Sequence, residues 1–460
     1  MRRRTAIIGG GTAVIGGLAL AAEALKSATS IGDSPVQEDH LALRDPRSSP
    51  AARSVYRMLV ALENAARDGR PGRTVIGQHV ELHNELYNPD YGDHHGTKPP
   101  GYYYRKARDI SGRLPGFLEV DLGPGYQQPG WAVGRPRSYS LATWPSGRTA
   151  WSYTDDAVDL ATGVWFGLPR ASVGTYSPDG REGRHDGSGS ALPDNGGGPA
   201  GLVGMSFHQP WPGSPVKGYR ETLHENSPAV TDPGWIERVL TPGTTEHQAL
   251  ILDLSFLADH LCYLAEHDVP VLLRPYHEMN PAGGRPGFWW SGMPPECYQA
   301  LWRTLYAYLV GSRGLHNLIF VWSPAVWDGV HGSEPGAYYP GTDYVDVVGV
   351  DDYSGGPDRP FGGGPWTKKW YDGLAGYGKP RVMAESFHVP LNAYQRRTLD
   401  VTPWVLWTVW GQALTQHNVS GPQGMNTPQD VRTTYGSPQI LTGGHGPTGP
   451  DGWSWASLHP

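Results

Sequence analysis

Eight short apolar segments recur between residues 74 and 407, and each is followed directly by a polar residue. They are four to six residues long and comprise Thr74–Gly77, Gly116–Val120, Leu202–Met205, Val269–Leu273, Leu318–Trp322, Val345–Val350, Arg381–Ala384 and Trp404–Trp407. Such runs are typical of strands buried on both faces of a sheet. Helical patterns lie between several of them, at His247–Glu266, Cys297–Leu309 and Trp366–Leu374. This alternation predicts an α/β fold, a (β/α)₈ TIM barrel, and a doubly wound open sheet is the alternative.

The barrel is predicted to form a single catalytic domain over residues 51–440. A helical pattern over Ala51–Arg67 begins it, and a last helix with Thr427 as its N-cap and Pro428 at its first position ends it. Residues 441–460 are rich in Pro and Gly and are predicted to be a C-terminal tail. Between strands two and three, residues 126–199 predict a long loop insertion, and its low-complexity part, 177–198, is predicted to be a mobile surface loop.

The amino terminus has the pattern of an export signal. Arginines at positions 2, 3 and 4 precede an apolar, glycine-rich stretch that ends in small residues near Ala24. Adjacent arginines before a weakly hydrophobic stretch predict twin-arginine export, with a signal peptide over 1–24 and a linker over 25–50. We therefore expect a secreted, extracellular protein, with an uncleaved membrane anchor as the alternative. No later segment is expected to span a membrane.

Charge and cysteine content narrow the classes of partner. The formal charge is −7, and removing three arginines and Glu23 with the signal lowers it by two, to −9. An acidic chain without a basic cluster is a poor nucleic-acid binder, so no nucleic-acid partner is predicted. Metal-binding patterns of the CxxC or HExxH type are absent, and no metal or cofactor is predicted. The two cysteines, Cys262 and Cys297, leave the question of a disulfide open.

Two of the predicted strands end abruptly in a glutamate. Strand four leads into Arg274-Pro-Tyr-His-Glu278-Met-Asn280, and strand seven leads into Glu385. Parallel barrel strands bring their carboxyl ends to one face, so we expect these two carboxylates to lie close together. Paired carboxylates are the minimum equipment for cleaving a glycosidic bond. In the retaining mechanism one protonates the leaving oxygen and the other, about 5 Å away, attacks the anomeric carbon.

Other strand ends carry polar or aromatic side chains as well. They are His79, Asp121, His208, His277, Tyr353 and Trp407. Structural roles are the alternative: a loop tether or helix cap for a lone His or Asp, and a buried salt bridge to Arg274 or Arg381 for the glutamates. Acids, imidazoles, a phenol and indoles that converge on one edge favour a ligand-binding site. Tyr353 is a candidate donor to the nucleophile. Trp290 and Trp407 are candidates for stacking on sugar faces, with core packing as the alternative.

These motifs together resemble glycoside hydrolase family 26, the secreted β-mannanase family. The resemblance rests on the Arg274–Asn280 segment followed by Phe288-Trp289-Trp290, and on four further segments: Gly77–His79, Ser206–His208, Val345–Tyr353 and Ala384-Glu385. It covers about residues 51–440 and implies the (β/α)₈ barrel. It implies Glu278 as acid/base, Glu385 as nucleophile and Tyr353 as the phenol beside the nucleophile. It further implies Trp407 as the floor of the sugar site and His208 and His277 as sugar contacts.

The expected function is therefore retaining hydrolysis of a β-linked polysaccharide by a monomer, with endo-β-1,4-mannanase as the first expectation. The same chemistry on β-1,3-xylan or mixed-linkage β-glucan is the nearest alternative, and a non-catalytic carbohydrate-binding protein on a barrel scaffold is a further one. One departure from the family pattern concerns the segment after the acid/base motif. Gly287 stands where the first tryptophan of that segment is expected, so no aromatic platform is predicted at this position.

Overall fold

The computed structural model describes residues 42–82, 101–123, 153–166, 199–215, 219–281, 286–326, 334–353, 365–392, 397–414, 426–444 and 455–458. The predicted signal peptide, residues 25–41 of the predicted linker and the low-complexity segment 177–198 lie outside these residues.

Eight parallel strands form a closed barrel, as predicted. They are β1 (Thr74–Val80), β2 (Phe117–Leu122), β3 (Leu202–Phe207), β4 (Val271–Pro275), β5 (Leu318–Trp322), β6 (Val347–Asp352), β7 (Arg381–Ser386) and β8 (Leu406–Val409). Each pairs in parallel with the next, and β8 pairs with β1 to close the barrel. Every residue of all eight strands is buried, which explains why these strands are continuous apolar runs in the sequence.

Helices connect the strands on the outside of the barrel. In the described residues they are α1 (Pro50–Arg67), α2 (Tyr102–Ser111), α3 (Tyr153–Trp165), α4 (Trp235–Leu240), α5 (Thr245–Glu266), α6 (Pro295–Tyr306), α7 (Pro365–Gly373), α8 (Thr398–Val401) and α9 (Pro428–Gly436). Thr427 caps α9 as predicted, because its side chain accepts a hydrogen bond from the Asp430 amide. In return, the Asp430 carboxylate accepts a hydrogen bond from the Thr427 amide. Helix α5 is long and apolar enough to cross a membrane, but half of its most apolar window is buried inside the protein, as in a core helix.

The barrel interior is filled by side chains at its lower level. The ring of Phe117 lies over Gly77 and Gly204, where a Cβ atom would come within 2.6 Å and 2.2 Å of it, respectively. Only glycine fits beneath a ring placed this closely, so the two glycines make room for the aromatic side chain. This packed layer closes the barrel below the functional end, where the strands finish.

The described parts of the predicted C-terminal tail, residues 441–444 and 455–458, belong to the fold. The short strand Ile440–Gly443 pairs with the start of β1 and with the short strand Leu114–Pro115, which closes the amino-terminal end of the barrel. Trp455 is completely buried there, and its Nε1 donates to the Thr442 carbonyl. The boundary predicted at residue 441 therefore lies inside a packed strand. The strand was not predicted because a four-residue segment that contains Gly and Thr resembles loop sequence.

Two other boundaries differ from prediction. Residues 43–48, assigned to the linker, pack at the amino-terminal end, where Leu43 is buried and Asp45 bonds to His316. Within the predicted insertion at 126–199, α3 packs on β2 and β3, so part of that segment is an ordinary crossover helix. Cys262 and Cys297 are both free thiols.

Candidate active site

The segment that follows β4 turns sharply and carries Glu278 into the barrel mouth. Tyr276 and Glu278 have φ angles of 47° and 52°, in the left-handed region that residues with side chains rarely adopt. Each such residue costs about 1–2 kcal/mol, so the surrounding structure must impose the turn. Strain of this kind concentrates where side chains must be aimed at a ligand.

Hydrogen bonds to successive carbonyls hold this turn. The Tyr276 carbonyl accepts from Tyr298 Oη at 2.9 Å, and the His277 carbonyl accepts from Trp290 Nε1 at 2.7 Å. The Glu278 carbonyl accepts from Ser291 Oγ at 2.6 Å. Trp290 is fully buried and stacks on Phe288 rather than presenting a face to a ligand. It was predicted as a sugar-stacking residue, but in the structure it anchors the turn that carries Glu278.

Glu385 lies near the end of β7 with hydrogen-bond donors on both carboxylate oxygens. Arg274 Nη2 donates to Oε1, and the Tyr353 hydroxyl donates to Oε2. The structure thus places the phenol of Tyr353 beside Glu385, as the sequence predicts. The salt bridge to Arg274, considered above as a purely structural alternative, also exists. A carboxylate that accepts bonds on both oxygens from a cation and a phenol is stabilised in its ionised form.

Glu278 is in the opposite electrostatic situation. Burial first, and then the negative charge of Glu385, raise its pKa to about 8 against the opposing effect of Arg274. Glu278 is therefore a protonated acid at neutral pH, while Glu385 accepts hydrogen bonds from Arg274 and Tyr353. Two neighbouring carboxyls with divergent environments are the arrangement in which one serves as proton donor and the other as nucleophile.

The two predicted histidines lie together beside the glutamates. The rings of His208 and His277 are 4.9 Å apart and edge to face, and His277 Nε2 is 3.9 Å from Glu385 Oε1. Burial and then the Arg274 charge lower the pKa of His277 well below its usual value. His277 is accordingly a neutral imidazole, suited to bonding a hydroxyl group rather than an anion.

His79 and Asp121 reach the same mouth from β1 and β2. The His79 ring stacks on Trp410 with centroids 4.1 Å apart, and Asp121 accepts from the Leu82 amide at 3.0 Å. The loop-tether role considered for Asp121 is therefore present, whereas His79 supports an aromatic ring at the mouth.

Trp407 does not line the mouth. Thr408 pairs with Gly77, and a Cβ built on Gly77 would meet both the Phe117 ring and the Thr408 hydroxyl, so these positions face the barrel interior. Because side chains alternate along a strand, Trp407 faces the outer side and Trp410 faces inward. Trp407 is fully buried, and its Nε1 donates to the His388 carbonyl. The strand runs two residues further than predicted, which explains the misplacement.

Trp410 occupies the position that was predicted for Trp407. It is half-buried, and its ring lies edge-on to Tyr353 with centroids 6.4 Å apart as well as stacking on His79. An aromatic ring fixed on one side and beside the phenol that bonds Glu385 is suited to form the floor of a sugar site.

Comparison with known proteins relates the sequence that forms this site to a protein family. The sequence model described as glycosyl hydrolase family 26 matches residues 199–362, which include Glu278 and Tyr353. A mannan endo-1,4-β-mannosidase of Thermothelomyces thermophilus is 29% identical over 251 residues, covering 53% of this chain and 43% of the relative. One from Bacillus subtilis is 31% identical over 225 residues, covering 45% of this chain and 56% of the relative. Over these residues the chain is similar to glycosyl hydrolase family 26.

The family 26 fold extends over most of the chain. GH26A of Muricauda sp. superposes with a TM-score of 0.58 at 23% identity, covering 86% of this chain and 98% of that structure. The mannanase man26 of Bacillus subtilis superposes with a TM-score of 0.57 at 18% identity, covering 88% and 96%. At these identities the likeness concerns the fold. The curated relatives above are matched over about half of their own length.

Several residues of this site were not predicted as part of it. Trp410 and the half-buried Tyr219, whose ring lies 5.8 Å from His208, were not considered. Glu119 and Asp351 contact Arg274 inside the barrel. The available signal was a charged residue within an otherwise apolar strand, because a buried charge needs a partner.

One group of potential metal ligands comes together in the described part of the chain. Ligand atoms of His277, Asp351 and Glu385 lie within 4.8 Å of one another. Arg274 donates to both carboxylates of this group, so its guanidinium already supplies the positive charge there. Two of these three side chains, Asp351 and Glu385, thus already form ion pairs with Arg274.

The exchange of Trp407 for Trp410 can be tested by paired alanine substitutions. Trp410→Ala should raise KM or lower kcat/KM for oligosaccharides by about 10- to 100-fold, the loss expected when a stacking ring is removed, with little change in melting temperature. Trp407→Ala should cost about 3–5 kcal/mol of stability, because it empties a packed site. Steady-state kinetics and thermal unfolding on both variants measure this. A Trp407 variant that is stable but impaired in binding would contradict the assignment.

Proposed function

We propose that this protein is an exported, monomeric, retaining glycoside hydrolase that cleaves β-1,4-mannan internally. In this proposal Glu278 is the acid/base and Glu385 is the nucleophile. The observation that carries it is the pair of carboxyls with opposite environments in one barrel mouth. Glu278 has a pKa raised to about 8, whereas Glu385 is bonded by Arg274 and Tyr353.

The first half of the reaction forms a covalent intermediate. A Glu385 oxygen attacks the anomeric carbon while Glu278 donates its proton to the departing glycosidic oxygen. The carbon–oxygen bond to the leaving sugar breaks, and an ester to Glu385 forms in its place. Tyr353 and Arg274 hold the attacking carboxylate in one orientation, so little reorganisation is needed at the transition state.

The second half releases the product and regenerates both acids. Glu278, now a carboxylate, accepts a proton from water as that water attacks the anomeric carbon, and Glu385 leaves as a carboxylate. Two inversions at one carbon give net retention. His208 and His277, which are both buried at the site, are placed to bond sugar hydroxyls throughout, and Trp410 lies where a sugar face would stack.

The substrate is proposed from the relatives. The matched curated proteins are described as mannan endo-1,4-β-mannosidases, and the family model that matches this chain covers the region that contains Glu278. The same machinery would act on β-1,3-xylan or mixed-linkage β-glucan if the subsites selected those backbones. The proposal commits to mannan and makes the other polysaccharides outcomes of its test.

Reducing-sugar release from a panel of mannan, β-1,3-xylan and mixed-linkage β-glucan tests substrate and activity together. We expect release from mannan, with oligosaccharides of several lengths early in the reaction because cleavage is internal. Proton NMR of the first product should show the β-anomer before mutarotation. Initial α-anomer would contradict the nucleophile assignment, and binding to mannan without hydrolysis over days would indicate a non-catalytic carbohydrate-binding protein.

A further inference from the structure

Arg274 is the centre of a charge cluster buried inside the barrel. Its Nε donates to Glu119 Oε1 at 2.8 Å, its Nη1 donates to Asp351 Oδ2 at 3.0 Å, and its Nη2 donates to Glu385. These four side chains are at most 4% exposed. Ser323 Oγ bonds the other Asp351 oxygen at 2.7 Å and so fixes that carboxylate against the guanidinium.

One guanidinium with three carboxylates is more than a structural ion pair needs. A single well-placed acid satisfies a buried arginine, and each additional buried carboxyl adds a desolvation cost. The other deeply buried arginine among the described residues that forms such a pair, Arg381, has one acidic partner, Glu63. The excess of acids is confined to the arginine that contacts the nucleophile.

We propose that Arg274 is a positioning residue that holds Glu385 in both halves of the reaction, and that Glu119 and Asp351 keep its guanidinium paired while Glu385 is esterified. This inference rests on the proposed function, since it assigns a role within that catalytic cycle. None of these three groups exchanges a bond with the substrate.

Esterification removes the negative charge of Glu385. An arginine paired with Glu385 alone would then be an unpaired buried cation, which costs several kcal/mol. Burial first, and then the charge of Glu385, raise the pKa of Glu119 to about 7 and that of Asp351 well above its usual range, both against the effect of Arg274. When Glu385 loses its charge, that contribution disappears, so these two acids ionise more readily. The guanidinium therefore keeps Glu119 and Asp351 as partners at the step where Glu385 loses its charge.

The reverse step benefits from the same arrangement. As water displaces the ester, negative charge returns to Glu385, and the guanidinium that has stayed in place stabilises it at once. Departure of the carboxylate is therefore the step most sensitive to Arg274. The titratable and charged groups that face the cluster are Glu119, Asp121, His277, Glu278, Asp351, Tyr353 and Glu385, together with His79 and His208 beside His277.

Three variants test the proposal with 2,4-dinitrophenyl β-mannobioside, whose good leaving group makes ester hydrolysis limit the rate. Arg274→Lys keeps the positive charge but loses the planar guanidinium that donates to several carboxylates at once. We therefore expect kcat to fall about 10- to 100-fold, and KM to fall with it as the intermediate accumulates. The acidic limb of kcat/KM should move to higher pH. Glu119→Gln removes one competing anion, so that limb should move to lower pH.

Arg381→Lys is the matched control, a buried arginine at the amino-terminal end of the barrel. It should lower the melting temperature while leaving kcat, KM and the pH profile per folded molecule unchanged. An Arg274→Lys variant that behaves like this control overturns the inference, as does a Glu119→Gln limb that moves to higher pH or does not move. If Arg274→Lys fails to fold, the Glu119→Gln profile decides. A wild-type protein inactive on mannan and on the aryl glycoside contradicts the proposed function itself, and this inference with it.

Discussion

Replacing Glu385 with alanine should lower turnover of both mannan and an activated aryl β-mannoside by at least about 10⁴-fold. The carboxylate is the only group that Tyr353 and Arg274 both donate to in the described structure. Without it no covalent intermediate forms, so a good leaving group cannot rescue the rate. The rate of this variant should therefore stay low with good and poor leaving groups alike and at every pH. This behaviour distinguishes loss of a nucleophile from loss of a proton donor.

Azide provides the confirming measurement. A small anion can enter the space left by the Glu385 side chain and attack the anomeric carbon directly, which gives a glycosyl azide of inverted, α configuration. Product NMR of the Glu385→Ala variant with an activated substrate and azide should show this compound. The matched control is Glu63→Ala, which breaks the buried pair with Arg381 at the other end of the barrel. It should cost about 3–5 kcal/mol of stability and spare the activity of the folded fraction. Substantial activity of Glu385→Ala without azide would refute the assignment.

The barrel and its two glutamates were predictable because of how parallel sheets are buried. A strand covered on both faces is a continuous apolar run, and the first polar residue after it marks the functional edge. Glu385 and Glu278 follow such runs directly or within a few residues, so strand counting placed them correctly on the fourth and seventh barrel strands. The resemblance to family 26 pointed to the same two residues.

The last strand shows what such counting cannot resolve. Trp404, Trp407 and Trp410 are spaced by three residues, and apolar residues fill the positions on both sides of Trp407 apart from Thr408. A strand buried on both faces carries no alternation, so the sequence gives no indication of which side chains face inward. The pairing of Thr408 with Gly77 decides it in the structure.

The Arg274 cluster could not be derived from the sequence for a different reason. Glu119 and Asp351 lie 155 and 77 residues from Arg274, on separate strands. A charged residue inside an apolar strand indicates that an oppositely charged partner exists, but it does not indicate which of many candidate residues is that partner. Likewise, the roles of Trp290 and Ser291 follow from carbonyls they reach in space, which no local pattern encodes.

Replacing Glu278 with alanine should slow hydrolysis of mannan by about 10²- to 10⁴-fold, the usual contribution of a general acid. The more basic the leaving oxygen is, the more the rate of the first step depends on the proton donor. With a dinitrophenolate leaving group the first step needs no acid, so kcat/KM should change by less than about 10-fold. Ester hydrolysis still lacks its base, so the glycosyl-enzyme should accumulate and appear as a burst of dinitrophenol.

The pH profile should change in a specific direction. In the proposed mechanism Glu278 acts in its protonated form, and burial with the charge of Glu385 raises its pKa to about 8. Wild-type kcat/KM on mannan should therefore hold through neutral pH and fall as pH rises through about 8, and this basic limb should be absent in Glu278→Ala. Azide should accelerate this variant by attacking the ester from the face that water uses, giving the β-azide. Because Glu385→Ala should give the α-azide, the two products assign the two glutamates independently. An α-azide from Glu278→Ala, or an unchanged basic limb, would reverse the roles proposed for them.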